Sequence, residues 1–306
     1  MSTEPLIVLN GDLVPYGQAT AHVMSPAMRY GLNVFEGLRA YWNAGENELH
    51  VFRLQDHLGR LAQSMKLLRF APTFNVAELG PQLLDLLRAN EIKDACHIRM
   101  SAYLDGDGEH HVSGPVSYFI ASRVQPRSEK AVTGIRCAVS SWVRMADSAM
   151  PPRIKCGANY VNARLARFQA LHDGYDDALL LNEHGKVGEG PGACVFLVRH
   201  GQLVTPDITS GILESITRDT MMALARDVGI NVVERTVDRT ELYAANEMFV
   251  AGSAAEVLPV VSVDGIELGD GRVGPATKAL QAAYFSAVTG DSHRDKGWLT
   301  PVYGSA

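Results

Sequence analysis

Gly188-Glu189-Gly190-Pro191-Gly192-Ala193-Cys194-Val195-Phe196-Leu197-Val198 is the stretch that decides which fold this chain can have. Glycines at every second position suggest a nucleotide-binding loop. Such a loop closes a strand, opens a helix and has an acidic residue further on. Here Ala193–Val198 is a short apolar run of the kind that forms a buried strand, so a strand and not a helix follows the glycines. A dinucleotide fold is therefore rejected. The glycines are better read as letting the backbone approach a flat ring. Glu189 would then pair with a pyridinium nitrogen, keeping it protonated and the ring an electron sink. Taken alone, the same residues fit a turn with an exposed glutamate.

Upstream stands Pro151-Pro152-Arg153-Ile154-Lys155-Cys156-Gly157-Ala158-Asn159-Tyr160. A lone lysine is usually a solvated surface charge. Lys155, however, follows a Pro-Pro stop and precedes a glycine and a helix start, in a stretch poor in charge. A lysine that forms a Schiff base must lose its proton, which desolvation next to cationic groups makes possible. Tyr160, five positions on, can aim a phenol at the same site. Downstream, Gly211-Ile212-Leu213-Glu214-Ser215-Ile216-Thr217-Arg218-Asp219 ends a loop and opens a helix. The first N–H groups of a helix lack internal partners and carry positive potential, which suits a phosphate; a plain capped helix fits as well. Arg60, in Asp56-His57-Leu58-Gly59-Arg60-Leu61, can offer a bidentate guanidinium to the same anion or be a solvated helix arginine.

Working outward, Ile7–Leu13 reads as a hairpin around Asn10-Gly11, and a second hairpin joins Leu38–Trp42 to Leu49–Phe52. Leu54–Leu68 and Val76–Ala89 have helical periodicity; Ala95–Tyr103 and Val116–Ser122 read as strands. The polar segment Arg123–Lys130 reads as a connection between domains. Beyond it come a strand at Ile135–Trp142, a helix at Tyr160–Leu171 and a strand pair around Glu183-His184-Gly185. Then follow a helix at Ile216–Val228 stopped by Gly229, a strand at Asn231–Thr236 and a helix near Thr240–Ala244. A strand at Glu247–Ala251 and a last helix from Pro275 to about Val288 complete the pattern.

The 306 residues are 46% apolar and 20% charged, an ordinary globular balance, and are long enough for two cores. The net charge of -6 and scattered basic residues argue against nucleic acid. No run reaches the ~20 apolar residues of a membrane span. Met-Ser-Thr-Glu-Pro is not the start of a signal peptide. Cys96, Cys137, Cys156 and Cys194 form no CxxC pair and read as reduced thiols, so a cytoplasmic location is expected. His110 and His111 read as solvated loop histidines, with no carboxylate or cysteine spaced to complete a metal site.

Together these residues resemble the class IV (fold-type IV) pyridoxal-phosphate aminotransferases, most of all those acting on branched-chain amino acids. The resemblance runs through Tyr30-Gly31-Leu32-Asn33-Val34-Phe35-Glu36-Gly37-Leu38-Arg39, Arg60, Ser140-Ser141-Trp142, Lys155 with Tyr160, and Glu189-Gly190-Pro191-Gly192. It continues through Ile216-Thr217-Arg218-Asp219, Gly252-Ser253-Ala254-Ala255-Glu256, Gly271-Arg272-Val273-Gly274-Pro275 and Gly297-Trp298-Leu299. It implies an α+β, two-domain enzyme. A smaller N-terminal α/β domain (1–122) and an interdomain loop (123–132) would precede a larger domain (133–306) with a β-barrel-like sheet and surrounding helices. It implies pyridoxal 5′-phosphate held by Lys155, which also shuttles the proton. Glu189 would contact the ring nitrogen and Tyr160 the phenolic oxygen. Arg60, the backbone of Ile216 and Thr217, and Ser253 would bind the phosphate, and Leu213 would pack on the ring. Tyr30, Phe35, His97 and Arg99 would line the substrate pocket, with Ser253 and Ala254 offering N–H groups to the substrate carboxylate. The implied reaction is ping-pong amino exchange between L-leucine, isoleucine or valine and 2-oxoglutarate, in a homodimer or higher homo-oligomer. Within the same fold, a D-amino acid or (R)-amine transaminase is the alternative. A 4-amino-4-deoxychorismate lyase is disfavoured by the extended C-terminal segment.

Three departures from the family pattern fall on the substrate side. His97 stands where a tyrosine is expected, and Cys194 where asparagine is common. Arg123 and Arg127 replace the aromatic residues that close the pocket.

Overall fold

A computed structural model describes residues 4–304; Met1, Ser2 and Thr3, on which the signal-peptide reading partly rests, lie outside them. The chain forms two compact units. One comprises Met1–Pro126, Ile154–Ala158 and Ala287–Ala306; the other comprises Arg127–Arg153 and Asn159–Ser286. The first break falls inside the polar connection at 123–132. The short Lys155 segment and the residues from Ala287 to Gly304, by contrast, belong with the N-terminal unit rather than with the residues beside them in sequence.

The first unit is a seven-stranded antiparallel sheet with helices. In chain order its elements are β1 (Leu6–Leu9), β2 (Asp12–Pro15), α1 (Pro26–Tyr30), β3 (Asn33–Asn43), β4 (Glu48–Phe52), α2 (Leu54–Leu67), α3 (Leu79–Ala89), β5 (Cys96–Leu104) and β6 (Val116–Val124). A final strand, numbered β15 in chain order (Leu299–Pro301), pairs with β4, so the sheet runs β15-β4-β3-β5-β6-β1-β2. The Asn10-Gly11 turn closes β1 onto β2; both residues have positive φ, the conformation that dipeptide tolerates. Helix α2 turns Leu54, Leu58, Leu61 and Met65 inward, as its periodicity predicts, and α3 does the same with Leu79, Leu83, Leu86 and Leu87. Trp298 stacks edge-on against Phe52, and the Arg53 N–H donates to its carbonyl, which seats the Gly297-Trp298-Leu299 segment in this unit.

The second unit holds α4 (Lys130–Thr133), β7 (Ile135–Val139), α5 (Asn159–His172), β8 (Asp177–Leu179), β9 (Cys194–Arg199), β10 (Gln202–Thr205), α6 (Ile216–Asp227) and β11 (Val232–Glu234). After these come α7 (Arg239–Tyr243), β12 (Glu247–Gly252), β13 (Glu256–Val263) and β14 (Ile266–Glu267). Helix α8 (Pro275–Thr289) begins in this unit. Its sheet is mixed, in the order β11-β10-β9-β12-β13-β7-β8 with β14 beside β13. Leu197, Val204, Leu242, Met248 and Val260 lie in its apolar core. The strand expected after the glycines is β9. The strand pair expected around Glu183-His184-Gly185 shrinks to a single bridge, Leu181 to Val187, around a turn held by Asn182. Strands β10 and β13 had no clear signal in the sequence. In β10 the run is only four residues. In β13, Pro259 argues against a strand; the proline is tolerated because β7 pairs only from Val260 onward.

Candidate active site

In the first unit, Ile154–Ala158 lies along the start of β3. The Phe35 N–H donates to the Lys155 carbonyl (2.9 Å), the Lys155 N–H to Ser64 Oγ (3.2 Å) and the Gly157 N–H to the Asn33 carbonyl (3.3 Å). Gly157 packs closely there, since a Cβ would stand 2.7 Å from Asn33 Oδ1 and would make that side chain shift. Lys155 is half-buried, with Nζ 4.9 Å from the centre of the Phe35 ring. The Arg99 guanidinium carbon lies 3.4 Å from the same centre, and Arg99 Nε donates to Ser101 Oγ (3.3 Å). Three of the expected residues, Phe35, Arg99 and Lys155, are thus brought together around one aromatic ring.

Behind them is a buried triad that sequence reasoning missed. Glu36, fully buried on β3, accepts from Arg60 Nε (2.8 Å), Arg60 Nη2 (2.7 Å) and His57 Nδ1 (2.7 Å). His57, Arg60 and Ser64 share one face of α2 because they are three and seven positions apart. Burial alone would raise the Glu36 carboxyl, but Arg60 and His57 outweigh it and hold it down to about 2. Burial lowers His57 below its ordinary value, so it donates Nδ1–H as a neutral imidazole. The Nε–Nη2 edge of Arg60 is therefore taken up by Glu36. The signal in the sequence was a glutamate inside the apolar strand Val34–Leu38, with a histidine three residues before Arg60.

His97 and Tyr30 differ in their surroundings. Burial, aided by Arg39, Arg99, Arg123 and Lys155, lowers the His97 imidazole to about 4. Its folded value lies below the usual 6.5, so the stability it contributes is present above pH 6.5 and lost as pH falls through about 4. By NMR, His97 should stay neutral from about pH 8 to about pH 5; a midpoint near 6.5 would refute this environment. Tyr30 is exposed and donates to Glu109 Oε2 (2.7 Å), beside His110.

In the second unit, Glu189 is buried rather than exposed. Its Oε1 accepts from Arg144 Nε (2.8 Å) and its Oε2 from the Leu213 N–H (3.1 Å). Arg144, two residues after Trp142, is a buried partner that no motif announced. Close backbone explains two of the glycines: a Cβ on Gly188 or Gly190 would stand 3.3 Å from the carbonyl oxygen of Leu180 or Ala193 respectively. A Cβ on Gly192 would meet nothing within 4 Å. At the start of α6, Ser215 Oγ takes the Arg218 N–H and the Ser215 carbonyl takes the Asp219 N–H. The N–H groups of Ile216 and Thr217 have no acceptor among the described residues. Arg218 itself is buried and structural, bonded to Thr205, Pro206 and Glu234. Ser253 and Ala254 form the turn after β12, Leu213 is half-buried, and Tyr160 is exposed on the first turn of α5. Cys194 is buried, with Sγ donating to the Ala251 carbonyl.

A ring with a phosphate fits these residues. The open side of Gly192, the buried Glu189 carboxylate and two unpaired N–H groups at a twelve-residue helix are what pyridoxal phosphate needs. No group of three or more His, Cys, Asp or Glu that could hold a metal occurs among the described residues, and no helix there is long and apolar enough to cross a membrane.

Residues 33–263 match the family model for class IV aminotransferases. The chain is 38% identical to a probable branched-chain-amino-acid aminotransferase of Aquifex aeolicus, over 96% of this chain and 95% of that one. The structure superposes on the branched-chain amino acid aminotransferase of Thermobaculum terrenum in its PLP form with a TM-score of 0.93 and 44% identity, covering 99% of this chain and 100% of that one. A branched-chain amino acid aminotransferase from T.th., complexed with N-(5′-phosphopyridoxyl)-L-glutamate, gives a TM-score of 0.92 and 38% identity, over 98% of this chain and 99% of that one. With a family model spanning most of its length and relatives matched nearly end to end, the chain belongs to the class IV aminotransferases.

Proposed function

We propose that this protein exchanges the amino group between L-leucine, L-isoleucine or L-valine and 2-oxoglutarate, with pyridoxal 5′-phosphate as cofactor, in two ping-pong half-reactions. The observation that carries the reading is end-to-end similarity to branched-chain aminotransferases, one of them in a PLP form and one bearing a phosphopyridoxyl-glutamate. When bound, the pyridine ring supplies the electron sink. Lys155 Nζ holds the cofactor, takes the substrate α proton and gives it back. Glu189, fixed from behind by Arg144, presents a carboxylate to the ring nitrogen, and Tyr160 serves the phenolic oxygen. The Ile216 and Thr217 N–H groups, Ser253 and Arg60 take the phosphate, and Leu213 packs on the ring. Phe35 gives an apolar wall for branched side chains, and Arg99 across the same ring receives a distal carboxylate. Ser253 and Ala254 bind the α-carboxylate. We take the enzyme to be a cytoplasmic homodimer. Four buried free thiols suit a reducing compartment, and the exposed Tyr30 is available to a second copy.

The test is the holoenzyme's visible spectrum. L-leucine and L-glutamate should each convert the cofactor band, while D-alanine and (R)-1-phenylethylamine should not; conversion only by the latter pair would overturn the substrate assignment. Arg99→Ala should lower kcat/KM for glutamate about 10- to 150-fold, the equivalent of roughly 1.5–3 kcal/mol for a charge-assisted hydrogen bond, and affect leucine far less. Equal losses for both substrates would reject Arg99 as the carboxylate partner.

A further inference from the structure

Two of the departures on the substrate side, His97 and Arg123, are 26 positions apart in the chain yet adjacent in the sheet. In register, Arg39 on β3 faces His97 on β5, and His97 faces Arg123 on β6. One step along, Gly37 faces Arg99, which faces Ala121; one step further, Phe35 faces Ser101, which faces Phe119. Side chains two apart on a strand share a face, so these three rows form one surface, and none of its nine residues is acidic. Contacts bear out the shared face, since Arg99 lies over Phe35 and a Cβ on Gly37 would stand 3.0 Å from His97 Nε2. The missing side chain at Gly37 is what gives His97 its room. The rows also run in a direction. Lys155 is beside Phe35; Arg99 comes next; the Arg39–His97–Arg123 row is farthest out, about 6.7 Å beyond Arg99 along the strand.

The three members of that outer row differ in access. Arg39 is buried and tied to the Gln125 carbonyl, so it contributes fixed charge. His97 is half-buried, and Arg123 is exposed with no carboxylate partner among the described residues. Arg127, by contrast, is already engaged in the second unit by Glu256 and the Phe285 ring.

Resting on the aminotransferase reading, we propose that the Arg39–His97–Arg123 row is an anion subsite. It receives the distal carboxylate of 2-amino and 2-oxo dicarboxylic acids longer than glutamate. Arg99 serves the five-carbon acid; one or two further methylenes carry the carboxylate only part of the way toward the outer row, and the long side chain of Arg123 reaches back along the sheet to meet it. His97 gives a neutral hydrogen-bonding edge, and Arg123 supplies the mobile charge that closes on the carboxylate.

The experiment compares kcat/KM of the holoenzyme for L-2-aminoadipate and L-leucine in wild type, Arg123→Ala and Arg123→Lys. It also measures binding of the unreactive acids adipate and 4-methylpentanoate. Arg123→Ala should lower the aminoadipate-to-leucine ratio about tenfold, as loss of a charged partner does. It should also weaken adipate more than 4-methylpentanoate, and Arg123→Lys should recover most of both. A ratio unchanged within about twofold in Arg123→Ala, or adipate binding no tighter than 4-methylpentanoate in wild type, overturns the subsite. The two readings fail separately: a wild-type protein inert toward leucine sinks the aminotransferase reading, while adipate binding and its dependence on Arg123 still decide the subsite.

Discussion

Lys155→Ala should lose transamination by at least about 10⁴-fold, because it removes both the covalent attachment and the base in one step. The structure says why this loss should be clean. The segment carrying Lys155 is held by its backbone: the carbonyl by Phe35, the N–H by Ser64 and the next residue but one by Asn33. None of these bonds uses the lysine side chain. Among the contacts that truncation removes is the ammonium over the Phe35 ring, worth about 0.5–1 kcal/mol at a partly exposed site. The variant should therefore fold and melt close to wild type while being inactive. Borohydride reduction gives a second readout. It should fix the cofactor on the peptide containing Lys155 in wild type and on no peptide in the variant. Turnover within about tenfold of wild type, or label on another lysine, would place the catalytic amine elsewhere.

Glu36→Gln is expected to have the next largest effect. The glutamate is fully buried, and its two oxygens serve three donors on Arg60 and His57. A glutamine keeps the shape but removes the charge that Arg60 faces. Breaking a buried ion pair on one side costs about 3–5 kcal/mol, because the remaining charge is left uncompensated. The pH dependence carries a sign. Glu36 sits at about 2 in the folded protein against an ordinary 4.5, so its contribution is complete above pH 4.5 and is lost as pH falls through about 2. His57 is also lowered, and the unfolded chain binds its proton first below 6.5, so it adds to the loss in acid. Wild type should therefore lose stability steeply in this range, and Glu36→Gln should start lower and fall less. Because Arg60 is proposed to serve the phosphate, the variant should also bind pyridoxal phosphate at least about tenfold more weakly while binding pyridoxal almost as before. Equal weakening of both would show that the triad supports the fold alone.

What the sequence disclosed follows from physical range. Periodicity and turn chemistry are local, so α2, α3, α5, α6 and both early hairpins were legible to within a helical turn. Lys155, Glu189 and Ile216-Thr217 were legible as candidates because each sits in a local context that a surface residue does not need. Partnership was not legible. Nothing near Glu189 points to Arg144, 45 positions away. The carboxylate of Glu36 stood in the Tyr30–Arg39 stretch with no role of its own until α2 put two donor residues on it. His97 and Arg123 were noticed as separate oddities, and only the β5–β6 register joined them. Pro259 hid β13 because a proline is penalised in a strand without knowing which edge will be paired.

The strand β15 bears on how the molecule is made. As the chain leaves the ribosome, β4 emerges early, but its outer neighbour arrives about 250 residues later. At about 5–20 residues per second that is a wait of roughly 12–50 s. Over that interval β4 presents a bare edge, the kind of surface to which other nascent chains add a strand. Its residues Leu49, Val51 and Phe52 are apolar, so the edge is adhesive as well as open. A stop codon between β13 and β15 would release a chain in this unguarded state, with β4 lacking the strand that covers it.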